Sequence, residues 1–314
     1  MINNSSQVQN KIASRSGPEI TGRFRYRLKP LMYLLPSALL LFVFIVIPIG
    51  YTFYLSFFNW NLIAPTKEFV GLQNYISVFT DPTNQKVMLN TVIYIILLLI
   101  LNFIFPYLIS LIVNFFIGKM KGAYKVLFFI PSLFSLVVGA MLFSWILNPV
   151  SGPAALMLRN FGMKLPQWTN SGSMAIIVIC LITNWKVFGY NFILLLTGLG
   201  AVPRNILDAA ALDGVPKWRV IWNIVLPMNR GVAIYVLILT IVQGLQYVFT
   251  PLNVITQGGP YYGSSNILYH TYLNAFVLYK TGSASALATV TFMIFLVLLF
   301  VEIKFVEGRN RDVE

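Results

Sequence analysis

Charge is what this chain has least of. Asp, Glu, Lys and Arg together make up only 10% of its 314 residues, and nine of these are acidic. A soluble domain carries about 25% charged residues. Hydrophobic residues reach 58% and the mean hydropathy is +0.77. One or two soluble cores would not hide that much apolar surface. A soluble enzyme, a nucleic-acid-binding domain and a disordered chain are therefore excluded. Cysteine is nearly absent: Cys180 is alone, so no internal disulfide forms. Histidine is equally scarce. His270 stands by itself, HExxH and CxxC patterns are missing, and a metal site needs three or four converging ligands. The sequence thus offers no catalytic constellation and no metal site, and His270 reads as an ordinary polar loop residue.

What is present is a series of long apolar runs. A span needs about 20 mostly apolar residues. Six segments qualify, over 31–57, 88–117, 125–147, 173–199, 231–252 and 284–306. The first follows Arg23, Arg25, Arg27 and Lys29. It is longer than a signal-peptide core of roughly 7–15 residues and lacks a small-residue cleavage site, so it reads as an uncleaved span. Pro48, Pro106 and Pro131 fall inside runs, where neighbouring groups re-satisfy the freed carbonyls.

The net charge of +13 is a topology signal. With the N-terminus inside, 16 of the 22 basic residues fall in cytoplasmic stretches. They include Lys11 and Arg15 in the tail, Lys119, Lys121 and Lys125 after the second span, and Arg204, Lys217, Arg219 and Arg230 after the fourth. Only Lys67, Lys86, Arg159, Lys164 and Lys280 lie outside, and Lys186 lies within a span. That asymmetry puts both termini in the cytoplasm. The expected organisation is a basic cytoplasmic tail (1–30), a six-span membrane domain (31–306) and a short cytoplasmic tail (307–314). Tyr51, Tyr54, Phe57, Phe58 and Trp60 cluster at the outer end of the first span. They read as an interfacial belt or as a stacking surface for a sugar ring.

Between the fourth and fifth spans lies PRNILDAAALDGVPKWRVIWNIVLP, Pro203 to Pro227. Pro203 suits a first helical turn, and Ala209, Ala210, Ala211 and Leu212 favour helix. Asp213-Gly214 is a turn or helix-end signal. Pro216 suits the start of a second helix, with Trp218, Ile221, Trp222 and Val225 spaced along one face. An amphipathic hairpin of this kind lies on a membrane surface or docks into a groove on another protein.

This stretch resembles the EAA loop of the membrane subunits of binding-protein-dependent ABC importers, whose pattern is roughly EAAxxDGAxxxxxFxxIxLP. Ala209, Ala210, Asp213, Gly214, Ile224, Leu226 and Pro227 match at the proper spacing. Asp208, Val215 and Ile221 depart from it. Phe69 to Tyr75 (FVGLQNY), Leu199 to Pro203, and Thr256 to Pro260 (TQGGP) resemble segments of the sugar-permease branch. The resemblance covers nearly all of the chain after residue 30. It implies an all-α type I importer permease with six transmembrane helices and a cytoplasmic coupling loop over 203–228. It also implies partners: a second permease subunit, two cytoplasmic ATPases, an extracytoplasmic solute-binding protein and membrane lipid. Asp208, Ala209, Ala210, Asp213, Gly214, Trp218, Ile221, Trp222, Leu226 and Pro227 would then couple to the ATPase. No phosphate-binding loop is present, since Gly118-Lys119 is followed by Met. ATP and Mg would be bound by the partner ATPases, leaving this chain a non-catalytic subunit.

Polar residues inside the spans are the remaining lead. Lys186 sits about 13 residues from either end of its span, on the order of 20 Å from each surface at 1.5 Å per residue. It must face a wet cavity, backbone carbonyls or a partner subunit. On a helix, Lys186 and Tyr190 lie about 40° apart, whereas Asn184 and Asn191 share a nearly opposite face. All four line one cavity only if the helix breaks, with Gly189 the obvious place. Gln243, Gln246, Tyr247 and Thr250 form a stripe on the fifth span. Neutral amides and aromatics suit hydroxyl-rich ligands; the same residues also serve helix–helix hydrogen bonding. These eight residues are the candidate substrate pathway. The expected function is half of the translocation pore of an importer for a sugar, oligosaccharide or polyol, in a bacterial inner membrane. Alternatives are a non-sugar solute such as glycerol phosphate or a polyamine, or a secondary transporter independent of an ATPase.

Overall fold

The computed structural model describes residues 33–117 and 120–307. The tail 1–30 with its six basic residues, Lys119, and residues 308–314 with Arg309 and Arg311 lie outside the described residues.

Helix α1 (Tyr33–Leu55) spans 23 residues, and nearly all of it forms a unit of its own. Every side chain from Tyr33 to Gly50 is exposed, as suits a helix that meets lipid or another subunit. Its helical ladder loosens into a π turn over Phe42–Val46, closed by Ile47 N–H to Phe42 O. The turn falls just before Pro48, whose ring would otherwise strike the carbonyl four residues earlier.

The second unit begins at Leu55. Strands β1 (Phe58–Asn59) and β2 (Glu68–Phe69) pair antiparallel, with Phe58 opposite Phe69 and their rings 5.4 Å apart. Helix α2 (Gln73–Thr80) follows. The FVGLQNY segment closes this corner. Gly71 has φ +56, Asn74 Nδ2 donates to the carbonyls of Ser56 (2.8 Å) and Phe58 (3.0 Å), and Tyr75 and Ser56 share a 2.6 Å hydroxyl bond.

Helix α3 (Pro82–Ile117) is longer than its apolar run. Asp81 caps it by accepting from the backbone N–H of Thr83 and Asn84, and Pro82 occupies the first turn. A π turn over Ile100–Ile104 precedes Pro106. Pro106 leaves Asn102 O without its helical donor, and Asn191 Nδ2 takes over at 2.6 Å. The same pattern recurs near Pro227, preceded by a π turn over Ile221–Val225.

The third apolar segment corrects the sequence reading. It is not one straight span over 125–147. Helix α4 (Lys121–Leu133) ends in a tight 3-10 turn over Ile130–Leu133, and α5 (Leu136–Ile146) leaves at 93°. Pro131 lacks the N–H to continue the ladder, and Phe134 and Ser135 are extended. Among the described residues, five helices are long and apolar enough to cross a membrane, or six if this bent pair counts as one span.

After α6 (Pro153–Asn160), helix α7 (Gly172–Gly200) runs 29 residues without a break. Gly189 is therefore not a hinge. A side chain there would overlap the Phe128 carbonyl, so glycine lets α4 and α7 touch backbone to backbone. Helices α8 (Arg204–Leu212) and α9 (217–228) form the hairpin, followed by α10 (Arg230–Thr256), α11 (Ile267–Tyr272) and α12 (Thr281–Glu307). The core of this unit packs Tyr94 and Leu98 of α3, Ile179 and Cys180 of α7, and Leu245, Val248 and Leu252 of α10.

Candidate functional site

The hairpin is built as its residue types dictate. Pro203 and Pro216 each stand one position before a helix, in extended backbone, rather than inside the first turn. At the end of α8, Val215 N–H bonds Ala210 O at 3.0 Å and Gly214 N–H bonds Ala211 O at 3.1 Å. This pair of bonds is the Schellman arrangement, and it needs the left-handed residue that Gly214 supplies at φ +70. The Asp-Gly pair thus sets the angle between the two helices.

Not all of the hairpin's apolar residues face one way. Val225 is fully buried with Leu199 and Val202, against Leu207, Val220 and residues of α3. Trp218 and Trp222 are 61% and 66% exposed. The expected single face of Trp218, Ile221, Trp222 and Val225 is split because the π turn over Ile221–Val225 adds a residue to the helical turn. Asp208, Ala209, Asp213, Gly214 and Pro227 are exposed with the tryptophans; Ala210 is buried, and Ile221 and Leu226 are half-buried. The hairpin therefore presents two tryptophans, two acids and Leu212 outward while Val225 and Ala210 hold it to the bundle.

A second site lies in the membrane part. A cavity of about 330 Å³ is lined by Phe129, Ser132, Lys186, Val187, Tyr190, Gln243 and Tyr247. Four of the eight pathway residues read from the sequence meet here, Lys186 and Tyr190 from α7 with Gln243 and Tyr247 from α10. Asn191 goes elsewhere: it is 1% exposed and bonds Asn102 O and Thr240 Oγ1, joining α3, α7 and α10. Asn184 Oδ1 is buried without a protein partner among the described residues. Gln246 is exposed and Thr250 half-buried, and neither is on the cavity wall.

Lys186 is held by the broken segment. Its Nζ donates to Ser132 O and Phe134 O, both at 2.6 Å. These carbonyls come from the bend between α4 and α5. Trp185 packs into the same corner, against Phe134 (6.1 Å), Phe143 (5.4 Å) and Gly139. Phe129, Ser132 and Val187 are the wall residues that sequence reasoning missed. Pro131 was the available signal, since a proline inside an apolar run marks carbonyls without helical donors.

On the far end of α3 a polar clamp is assembled. Asn90 Nδ2 reaches the carbonyls of Tyr262, Gly263 and Ser265 (3.0–3.2 Å), Lys86 reaches Tyr261 O (2.9 Å), and Tyr94 bonds Ser264 O (2.8 Å). His270 is helical and buried, not a loop residue. Asn84 Nδ2 donates to Ser77 O, so its Oδ1 accepts from His270 Nε2 at 3.0 Å. Burial lowers the His270 pKa; Asp81 opposes this and Lys280 adds to it. Burial alone would raise the Asp81 carboxyl, but the Asn84 and Thr83 donors and His270 hold it below its ordinary value.

Comparison with known proteins places the chain in a family. Residues 107–311 match the family described as "Binding-protein-dependent transport system inner membrane component". The "Probable ABC transporter permease protein YurN" of Bacillus subtilis is 30% identical over 280 residues, 88% of this chain and 95% of that one. The sn-glycerol-3-phosphate transport system permease protein UgpA of Agrobacterium fabrum is 26% identical, over 91% of this chain and 97% of that one. Among solved structures, a bacterial ABC transporter involved in the import of the acidic polysaccharide alginate superposes with a TM-score of 0.77. It is 20% identical and covers 90% of this chain and 98% of that chain. An apolar helical bundle, an EAA-type hairpin and a family match over most of the chain lead to one conclusion: this protein belongs to the binding-protein-dependent transport system inner membrane components, the permease subunits of ABC importers.

Proposed function

We propose that this permease forms half of a translocation pore for a carbohydrate or polyol, and that its hairpin over 203–228 docks on a cytoplasmic ATPase. The reading carries with it a second permease subunit, two ATPases that bind ATP and Mg, and a solute-binding protein outside the membrane. It also puts both termini in the cytoplasm, in a domain layout of 1–30, 31–306 and 307–314. The single observation that supports coupling is the exposed pair Trp218 and Trp222 on a hairpin whose buried side is fixed to the bundle by Val225. Exposed aromatics on a rigid element are typical anchors of a protein interface. Solute class is supported by the free hydroxyl and amide groups on the cavity wall and by relatives named for glycerol phosphate and alginate transport.

In the proposed cycle, movement of the ATPases carries the hairpin as a lever, and the cavity exchanges access between the two sides. The test is reconstitution of the chain with the permease, ATPase and binding-protein products of its neighbouring genes. Uptake of a carbohydrate that requires both ATP and the binding protein is the expected result. Uptake by this chain alone, without an ATPase, would overturn the reading in favour of a secondary transporter.

A further inference from the structure

The cavity has an electrical character that the carbohydrate reading does not require. Among the described residues its wall carries one cation, Lys186, and no acidic side chain. An ammonium has three N–H donors. Two are taken by Ser132 O and Phe134 O at 2.6 Å. Those two bonds hold the side chain in the bend between α4 and α5 while its third donor has no protein acceptor among the described residues. The neutral groups around it are open as well. The hydroxyls of Tyr190 and Tyr247 and the amide of Gln243 line the cavity and make no hydrogen bond within the protein among the described residues.

A structural stitch between two helices would be served as well by a neutral donor. A full charge inside a membrane protein is costly and calls for a compensating role. From this we infer that the cavity selects an anionic, hydroxyl-rich solute. The third Lys186 donor meets the solute's oxyanion, and Tyr190, Gln243 and Tyr247 meet its hydroxyls. A carboxylate on a sugar acid and a phosphate on a polyol present the same oxyanion. A cationic solute such as a polyamine is repelled by the uncompensated charge. This inference rests on the carbohydrate reading and narrows it.

The test uses the complete transporter in proteoliposomes, with the binding protein kept the same in every arm. The probes are a uronic-acid oligosaccharide, a neutral oligosaccharide of equal length, a phosphorylated polyol and an amino-sugar oligomer. Wild type is compared with Lys186→Gln, which keeps a donor for the carbonyls, and with Lys186→Arg, which keeps the charge. We expect uptake of an acidic probe over the neutral one, with the uronate and phosphate arms showing which oxyanion is carried. Lys186→Gln should cut the acidic-to-neutral ratio about tenfold, the order expected for one charge-assisted hydrogen bond, and Lys186→Arg should retain most of it. Uptake restricted to the neutral or amino-sugar probe, or an acidic-to-neutral ratio unchanged in Lys186→Gln, overturns the inference and leaves the carbohydrate reading standing. Failure of every probe overturns the carbohydrate reading and this inference with it.

Discussion

Gly189 of α7 rests directly on the main-chain carbonyl of Phe128 in α4, so close that a methyl group could not be placed between them. The contact sets the position of the broken segment whose carbonyls hold Lys186. Gly189→Ala must push the two helices apart, an overpacking change that costs about 1–3 kcal/mol. Thermal unfolding in detergent should show the loss. Gly50→Ala is the matched control, because nothing lies within 4 Å of its added methyl. In a helix that substitution stabilises by about 0.5–1 kcal/mol. Equal stability of the two variants would mean that α4 and α7 do not meet at this point.

His270 makes the stability of the clamp at the start of α3 depend on pH. Burial holds its pKa below the ordinary 6.5, with Asp81 opposing the shift and Lys280 adding to it. Its Nδ1 is buried with no partner among the described residues, so a proton added there would find no acceptor. Between the folded and unfolded pKa values the unfolded chain binds more protons, and stability therefore rises with pH in that window. The contribution is complete above about pH 6.5 and is lost as pH falls through the folded value. The melting temperature should drop on acidification from about pH 7.5 to 5, the range in which imidazoles titrate. His270→Gln keeps a donor for Asn84 and should flatten that dependence. An unchanged slope in the variant would assign the pH effect to other groups.

Much of this architecture was legible in the residues. Five spans were visible as apolar runs, because lipid demands length and apolarity together. The Asp213-Gly214 turn was visible because a left-handed position admits few residues besides glycine. The bend at Pro131 was not, since an apolar run reads alike whether straight or folded at 93°. Lys186 was correctly marked as needing backbone carbonyls, a cavity or a partner, and it has the first two. Which carbonyls they are depends on a contact 54 residues away. His270 was misread as a loop residue for the same reason: its hydrogen-bond partner, Asn84, is 186 residues distant. The helical wheel of α7 did separate Lys186 and Tyr190 from Asn191, and the structure keeps them apart on an unbroken helix.

Asn90 joins α3 to the loop that follows the TQGGP turn. One amide nitrogen serves three carbonyls, those of Tyr262, Gly263 and Ser265. Asn90→Ala leaves these buried acceptors without a side-chain donor, at a cost of about 1–3 kcal/mol. Hydrogen exchange should rise in the segment 258–266 and remain unchanged in α8 and α9. Protection unchanged in that segment would show that Lys86 and Tyr94 hold the loop without Asn90.

The hairpin prediction separates shape from contact. Trp218 and Trp222 are largely exposed, so truncating them removes little of the subunit's own packing. If they anchor the ATPase, Trp218→Ala with Trp222→Ala should weaken its association by about tenfold or more, as losing interface hot spots does. The purified subunit should unfold at its normal temperature. Gly214→Val acts differently. A β-branched residue at φ +70 strains the turn by on the order of 1–3 kcal/mol. It also disturbs the bonds from Gly214 and Val215 to α8, which changes the angle between the two helices. The ATPase should still associate, because both tryptophans are retained, but ATP hydrolysis should no longer drive uptake. The ratio of solute moved to ATP hydrolysed is the discriminating measurement. Normal uptake in the Gly214→Val variant and in the tryptophan double variant would show that the hairpin is not the coupling element.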